Sequence, residues 1–365
     1  MQGNINFRDE SGVTTRGSEK GFSVLEVIVA MVLFLGITGA IWGLMQVGLQ
    51  GRNVNNQKVG LTTAVRLGLN LVGRDTYSVG LGYPLGATVV LPDDKISALL
   101  GIPNDTNAGR DTVPPIIAGN NITLNTFNTT AGVRTDQVTF LYKDGNFNLV
   151  PPVLPGGPAV SQPLSMNLVD PVGGYTDLRS TNGSNAACAV NNLYLITRPG
   201  GQTLGVATSL VAPDRVRFAN LDVLGLNVAF SNDSIGPAAT SASIQKVRMV
   251  TYFVAADGTL TRREYVNVPP AVPAVGFVDQ PLVYGVEDFQ IKYVMNDGTL
   301  VDNPIAGPDG VAGTGDDTPN NLFEAVRQIR FTISVRSFEL DRNNQPYRET
   351  MTSTFSTKNL GYDAS

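Results

Sequence analysis

The sequence contains no histidine and a single cysteine, Cys188. Without histidine the chain lacks the commonest general base, the usual partner of a serine or cysteine nucleophile, and the commonest metal ligand. One cysteine excludes an internal disulfide and a thiolate metal cluster. In NAACAVNNLYLIT, Cys188 reads as a small buried residue at the entrance to a strand. Charge is also sparse: 16% of residues are charged, the net charge is −5, and no basic block occurs. Charge therefore gives no indication of a nucleic-acid-binding face. The segment GTGDDT lacks the lysine and the strand–helix context of a phosphate loop, and no serine elbow is present. Enzymatic function is not expected.

What the chain does have is turn-forming and apolar residues. With 39 glycines, 22 prolines and 42% hydrophobic residues, it has the composition of a turn-rich β protein large enough to bury a core. Its first part departs from that composition. After Lys20-Gly21-Phe22-Ser23-Val24-Leu25-Glu26, the stretch from Val27 through Met45 runs without a charge. At about 19 residues it matches the ~20 needed for a bilayer-spanning helix and exceeds the ~7–15 of a signal-peptide core. An ordinary anchor fits the length but explains neither Glu26 nor the polar leader that ends in a basic residue and glycine. An acidic residue within a membrane segment costs roughly 2.5–3.5 kcal/mol at the centre and less near an end, so Glu26 is a candidate functional residue. Arg8, Arg16 and Lys20 precede the span, as the positive-inside rule asks, but Arg52, Lys58, Arg66 and Arg74 follow it, so charge alone orients it weakly.

Helical periodicity continues beyond the span. Val54, Leu61, Ala64, Val65, Gly68, Leu71 and Val72 recur at spacings of three and four, predicting one helix from about Phe22 to Tyr77. Gly80, Gly82 and Pro84 end it. Gly36, Gly39 and Gly43 suit close helix packing in lipid or local unwinding; Trp42 suits an interfacial anchor or a packing residue.

Gly21-Phe22-Ser23-Val24-Leu25-Glu26 closely resembles the type III signal of type IV pilins and type II secretion pseudopilins. The resemblance implies cleavage after Gly21 by a prepilin peptidase and N-methylation of Phe22. It also implies that Glu26, the fifth mature residue, pairs with the N-terminal amine of a neighbouring subunit during assembly. VGRDTYSVGLGY, at the end of the predicted helix, resembles the Arg-Asp…Gly-Tyr segment of PilW-type minor pilins. LVYGVEDFQIKYVMNDGTLVD, AVRQIRFTISVRS and YRETMTSTFSTKNLG follow the order of that family's C-terminal strands.

The implied fold class is α+β and pilin-like: one long N-terminal helix, membrane-spanning in its first half, packed on a large antiparallel β-rich globular head. The expected divisions are a leader at 1–21, a transmembrane or filament-core helix at 22–47, a second helix half at 48–80 packing on the head, and the head at 81–365 with an insertion-like region at about 86–190. The implied function is that of a minor pilin priming or capping a type IV pilus at the bacterial inner membrane. Implied partners are the peptidase, the major pilin, other minor pilins and the assembly platform. A type II secretion pseudopilin of the J type, or a tip adhesin or DNA-capturing head, are the alternatives.

Within the head, Asp-Gly between apolar runs predicts three hairpins: VTFLYKDGNFNLV, VRMVTYFVAADGTLTRREYV and FQIKYVMNDGTLV. QIRFTISVRS predicts a half-buried strand with Ile329, Phe331, Ile333 and Val335 inward. PGGPAVSQP and VPPAVPAVG are proline-rich connections. Asp302, Asp309, Asp316 and Asp317 lie on a glycine-rich segment with oxygen ligands suited to calcium, or form a solvated loop whose Asp and Asn side chains shape turns. Asp75, at the helix end, is expected to bond head backbone donors in a structural role.

Overall fold

The computed structural model describes residues 21–83, 89–102, 111–128, 130, 132–144, 164–172, 175–180, 188–198, 201–211, 213–220, 222–227, 241–267, 276–304, 325–340 and 344–360. The chain divides into two units, Met1–Asn56 and Gln57–Ser365.

Helix α1 runs from Val24 to Ser78, close to the span that the periodicity predicts. Ser23 starts it: the Ser23 carbonyl accepts from the amides of Glu26 (3.0 Å) and Val27 (3.2 Å). Gly80 and Gly82, at φ +74° and +63°, end it by taking the left-handed conformation that costs glycine no side-chain clash. In the first unit the helix continues unbroken through Gly36, Gly39 and Gly43. Its residues there are exposed on every side, Phe34, Trp42 and Leu44 among them. This helix is long and apolar enough to cross a membrane, and none of its most apolar stretch is buried.

The second unit is built on antiparallel sheets. The central strand is β11 (Ser241–Val254), and its two halves have different neighbours. Its C-terminal half pairs with β4 (Arg134–Lys143) on one side and β12 (Leu260–Tyr265) on the other. β3 (Ile116–Leu124) and β13 (Phe277–Val283) complete that layer. The N-terminal half of β11 pairs with β5 (Leu164–Val172) and β7 (Leu193–Arg198). β5 continues through β6 (Tyr175–Ser180) and β10 (Arg215–Ala219) to β9 (Ser209–Val211), while β7 pairs with β8 (Gly201–Val206). A separate sheet has the order β15 (Leu300–Val301), β14 (Val286–Met295), β16 (Val326–Leu340), β17 (Pro346–Ser356). Beside the sheets, β1 (Val90–Leu91) pairs with β2 (Asp111–Thr112), and helix α2 spans Lys95–Leu100. The fold is thus a long N-terminal apolar helix followed by a large antiparallel β-rich head.

The helix residues of this second unit have a core role. Val65, Leu69 and Val72 pack with Phe140, Val250, Tyr252 and Leu260 of the β11 layer and with Phe289, Phe331 and Ile333 of the β14–β17 sheet. Gly68 is needed where α1 meets β13: a Cβ there would fall 2.7 Å from Val283 Cγ2. Gly73 faces the Phe355 ring in the same close way. The opposite face of the β11 layer carries Leu141, Met249 and Tyr265, packed with Tyr83, Ile96, Leu195 and Val206. A third cluster gathers Leu178, Tyr194, Ile196, Val216 and Phe218.

Two of the three Asp-Gly hairpins form as predicted. Gly258, at φ +80°, sits in the β11–β12 turn, and Gly298, at φ +85°, in the β14–β15 turn. The first lies partly outside the described residues, which break off after Asp144; the strand before it, β4, pairs with β3 and β11. Strand β16 buries Ile329, Phe331, Ile333 and Val335 on one face as its alternation predicts. The proline-rich stretches 155–163 and 268–275 lie outside the described residues.

Candidate functional site

Gly21 and Phe22 precede the first turn of α1, and Phe22 is 81% exposed. Ser23 Oγ accepts from the Glu26 amide at 3.2 Å. Ser23-x-x-Glu26 therefore has the residue pattern of a capping box, in which the serine satisfies an orphan amide of the first turn. Glu26 also lies at the helix N-terminus, where the macrodipole favours a negative group by about 0.3–1 kcal/mol. Both effects stabilise the start of the helix. Neither gives the Glu26 carboxylate an opposite charge, and among the described residues it has no side-chain partner.

At the other end of α1, Arg74-Asp75 leads into a buried chain of charges. Asp75 is 2% exposed. Its Oδ2 accepts from Tyr252 Oη at 2.7 Å and from Arg262 Nε at 2.9 Å. Arg262 Nη1 donates to Glu264 Oε2 at 2.9 Å. Glu264 lies 3.7 Å from Arg248, which lies 3.6 Å from Asp144, which meets Lys246 at 3.2 Å. Signs alternate along the whole row, so each carboxylate lies between cations. Strand geometry makes this possible: residues 246, 248 and 252 of β11, and 262 and 264 of β12, lie on one face because side chains alternate along a strand. Burial lowers the affinity of Arg262 for its proton; the Asp75 charge, the hydrogen bonds to Glu264 and Asp75 and the nearby Tyr252 together outweigh it and hold the guanidinium charged. Tyr252 is held neutral, first by burial and then by the Asp75 charge. The expected backbone donors to Asp75 are replaced by these side-chain donors, since the end of α1 lies against a strand face rather than a turn.

The same motif reaches the other side of the layer. Tyr83 is 5% exposed and its hydroxyl donates to the Val113 carbonyl at 2.5 Å. Burial raises its pKa well above the usual value. The segment Arg74–Tyr83 thus places Asp75 against one face of the β11 layer and Tyr83 in the core on the other. Among known family models, curated proteins and solved structures, none matches this chain.

The calcium ligands proposed from sequence are placed only in part. Asp302 forms an ion pair with Lys292 Nζ at 2.7 Å. Asp309, Asp316 and Asp317 lie outside the described residues. Among the described residues no group of three or more acidic, cysteine or histidine side chains is positioned to hold a metal ion. Cys188 is buried just before β7, and burial pushes its thiol up to about 12, so it is unreactive near neutral pH.

Sequence reasoning missed two devices. The capping pattern of Ser23 and Glu26 was legible from spacing alone. The second, centred on Glu287, was not. Glu287 accepts from Arg348 through Nε (2.8 Å) and Nη2 (3.1 Å), and Arg336 Nε is 3.5 Å away. Those three residues are far apart in sequence, and only the β14–β16–β17 register brings them together.

Proposed function

We propose that this chain is a PilW-type minor pilin, a subunit that assembles into a type IV pilus and helps to prime it. The observation that carries this reading is the division of labour within one helix. Residues 24–49 present an apolar surface with nothing packed on it and a lone carboxylate in the first turn, whereas residues 61–79 form part of a β-rich core. A helix of the first kind suits both a bilayer and a bundle of like helices, because each offers apolar surroundings to every side of it. Glu26 then serves as the specificity element: a carboxylate entering such a bundle is tolerable only where a cation meets it. Cleavage between Gly21 and Phe22 creates one, the new α-amino group.

Two measurements test the reading. Intact mass of the membrane-extracted protein should correspond to loss of residues 1–21 and gain of one methyl group; an intact N-terminus refutes processing. Glu26→Ala should still be processed but should not support normal piliation in cells lacking the native copy. Wild-type pilus number in that strain, or a dependence of protein secretion rather than of pili on the gene, would reject the pilus assignment.

A further inference from the structure

We infer that the free edge of β17 takes up an extended, acidic segment of a partner polypeptide as an added antiparallel strand. The inference rests on the head unit alone, and neither on membership of a pilus nor on a membrane span.

A sheet edge presents a row of unmet backbone donors and acceptors, and folded chains blunt it. The other edge strands among the described residues are blunted. β13 carries Pro281, and its ladder with β12 is irregular after Leu260. β3 breaks register between Gly119 and Thr123. β8 is covered at Gln202 by a bridge to Val89, and at Val206 the Asn227 side chain takes both the amide and the carbonyl. β9 has three residues and β15 two. β17 has 11 residues, and its pairing with β16 is regular from Arg348 to Ser356.

The Thr357 amide donates to the Arg327 carbonyl at 3.0 Å, which sets the phase of this ladder. Bonded pairs alternate along an antiparallel ladder, so Arg348, Thr350, Thr352 and Thr354 turn their N–H and C=O groups away from β16. Among the described residues nothing meets those groups. The strand is already fixed: Thr352 and Thr350 share hydroxyl hydrogen bonds with Thr332 (3.1 Å) and Ser334 (2.9 Å) of β16. A partner therefore pays little ordering entropy on this side of the contact. Only another extended backbone matches donors and acceptors repeated every second residue, about 7 Å apart.

The surroundings specify the charge of that backbone's side chains. Arg330 lies opposite Thr354 on the outer face, and Lys358 follows the strand with its ammonium over the Tyr77 ring. On the inner face, Thr62 bonds Glu349 and Gly73 lies against Phe355, so α1 runs along β17. At 3.6 residues per turn, Val59, Arg66 and Tyr77 lie within ~60° of that line, and all three are exposed. Arg66, Arg330 and Lys358 have no carboxylate partner among the described residues. Glu349, the sole acid of β17, keeps its charge beside the Thr62 and Tyr347 hydroxyls at the opposite end of the edge. An acid on the added strand therefore belongs opposite Thr354, with apolar residues turned inward beside the half-buried Met351 and Phe355. A second copy of β17 does not supply this. Its Glu349 occupies a position that bonds towards β16, so it cannot come opposite Thr354 in an antiparallel pair.

The test uses the full chain in detergent micelles and a fluorescein-labelled peptide, Glu-Val-Thr-Val-Thr-Val-Thr, amidated at its C-terminus. Fluorescence anisotropy should show saturable binding. The same peptide N-methylated at every residue keeps the side chains but no donors and should not bind. Thr352→Pro removes an outward N–H and no bond to β16, and should weaken binding about tenfold, whereas Thr352→Val should not. Arg330→Glu should weaken binding by up to about fivefold at low salt, with recovery when lysine replaces the peptide's glutamate. Absence of saturable binding, equal binding of the N-methylated peptide, or indifference to Arg330→Glu overturns the inference, and these comparisons decide it even where Thr352→Pro fails to fold. A folded Thr352→Pro chain that binds as tightly as the unaltered one overturns it as well. Dimers of the chain that the peptide dissociates would assign the edge to a second copy and also overturn it.

Discussion

Replacing Asp75 with alanine should destabilise the head by about 3–5 kcal/mol, because it breaks a buried ion pair and leaves the other charge in place. The magnitude follows from the geometry. Asp75 and Arg262 have side chains only 3% and 7% exposed, so water does not replace the lost carboxylate. Arg262 keeps one partner, Glu264, but its Nε–H loses an acceptor, and the Tyr252 hydroxyl is left with the longer bond to the Leu71 carbonyl at 3.3 Å. Each orphaned buried donor costs ~1–3 kcal/mol, more when charged. Removing both charges should restore much of the loss: in Asp75→Leu combined with Arg262→Met, no uncompensated charge remains and the site is filled by apolar groups. The assay is urea denaturation of the detergent-solubilised full chain, followed by far-ultraviolet circular dichroism, which reports the β-rich head together with α1. A double-mutant cycle then isolates the Asp75–Arg262 coupling. A loss below about 1 kcal/mol for Asp75→Ala, or strict additivity of the two changes, would refute the argument that α1 is fixed to β12 by a desolvated pair.

Asp136 gives a pH signature of its own. Burial pushes its carboxyl up to about 6 despite amide hydrogen bonds from Asn121 (2.8 Å) and Ile291 (2.7 Å). The folded state therefore holds this proton more tightly than the unfolded chain. Its contribution to stability is full below pH ~4 and falls by about 3 kcal/mol as pH rises through ~6. Asp136→Asn should remove that component of the slope in denaturation titrations, and an unchanged slope would exclude Asp136 as its source. Glycines on α1 should divide by what they face. Gly68→Ala, aimed at Val283, should cost about 1–3 kcal/mol, whereas Gly60→Ala, with open space around its Cβ, should stabilise the helix by up to about 1 kcal/mol. Thermal denaturation of the two variants checks the contrast; equal effects would mean that the α1–β13 contact is looser than described. Trimming the partly buried Phe355 to alanine should leave a void against Gly73 and Phe331 and cost about 1–3 kcal/mol, measured in the same way.

Features determined by local chemistry were legible in the sequence, and those determined by register were not. The extent of α1 follows from an uninterrupted periodicity and two glycines. The buried face of β16 follows from strict alternation over Ile329–Val335. The β11–β12 and β14–β15 turns follow from Asp-Gly between apolar runs. The third such signal, at Asp144-Gly145, leads out of the described residues. What local chemistry does not show there is the pairing of Asp144 with Lys246 and Arg248, contacts across about a hundred residues of sequence. The apolar stripe of α1 was read as Val54 to Val72, yet the buried surface extends through Thr76 to Val79 and includes Leu69. The helix meets both the β11 layer, at Gly68 and Asp75, and the β14–β17 sheet, at Thr62 and Gly73, and a single fixed stripe does not cover both. Of the candidate site, Glu26 could be singled out because a charge beside an apolar run is conspicuous without any structure. The partners of Asp75 could not be, since Tyr252 and Arg262 lie nearly two hundred residues away.

The two ends of α1 pose one electrostatic problem in two surroundings. At Asp75 a carboxylate has left water, and the chain supplies the compensation itself through a hydroxyl, a guanidinium and an alternating row of charges behind them. At Glu26 the flanking residues Leu25 and Val27 are apolar, and among the described residues no cation approaches the carboxylate; the serine cap and the helix dipole only soften its position. In water Glu26 needs nothing more. In lipid or within a bundle of helices it does, and the compensation has to come from the chain's own terminus or from another molecule. That asymmetry is what an assembly element requires. A carboxylate paired within its own chain, like Asp75, stabilises a fold and has no charge left for a neighbour. One left unpaired until its surroundings change makes association conditional on a correctly placed cation. On the reading proposed here, proteolysis at Gly21 provides that cation. Converting Glu26 to glutamine should therefore retain the helix cap but lose the register-setting pair, so processing and insertion should persist while assembly fails. Normal assembly of Glu26→Gln would show that hydrogen bonding, rather than charge, sets the register.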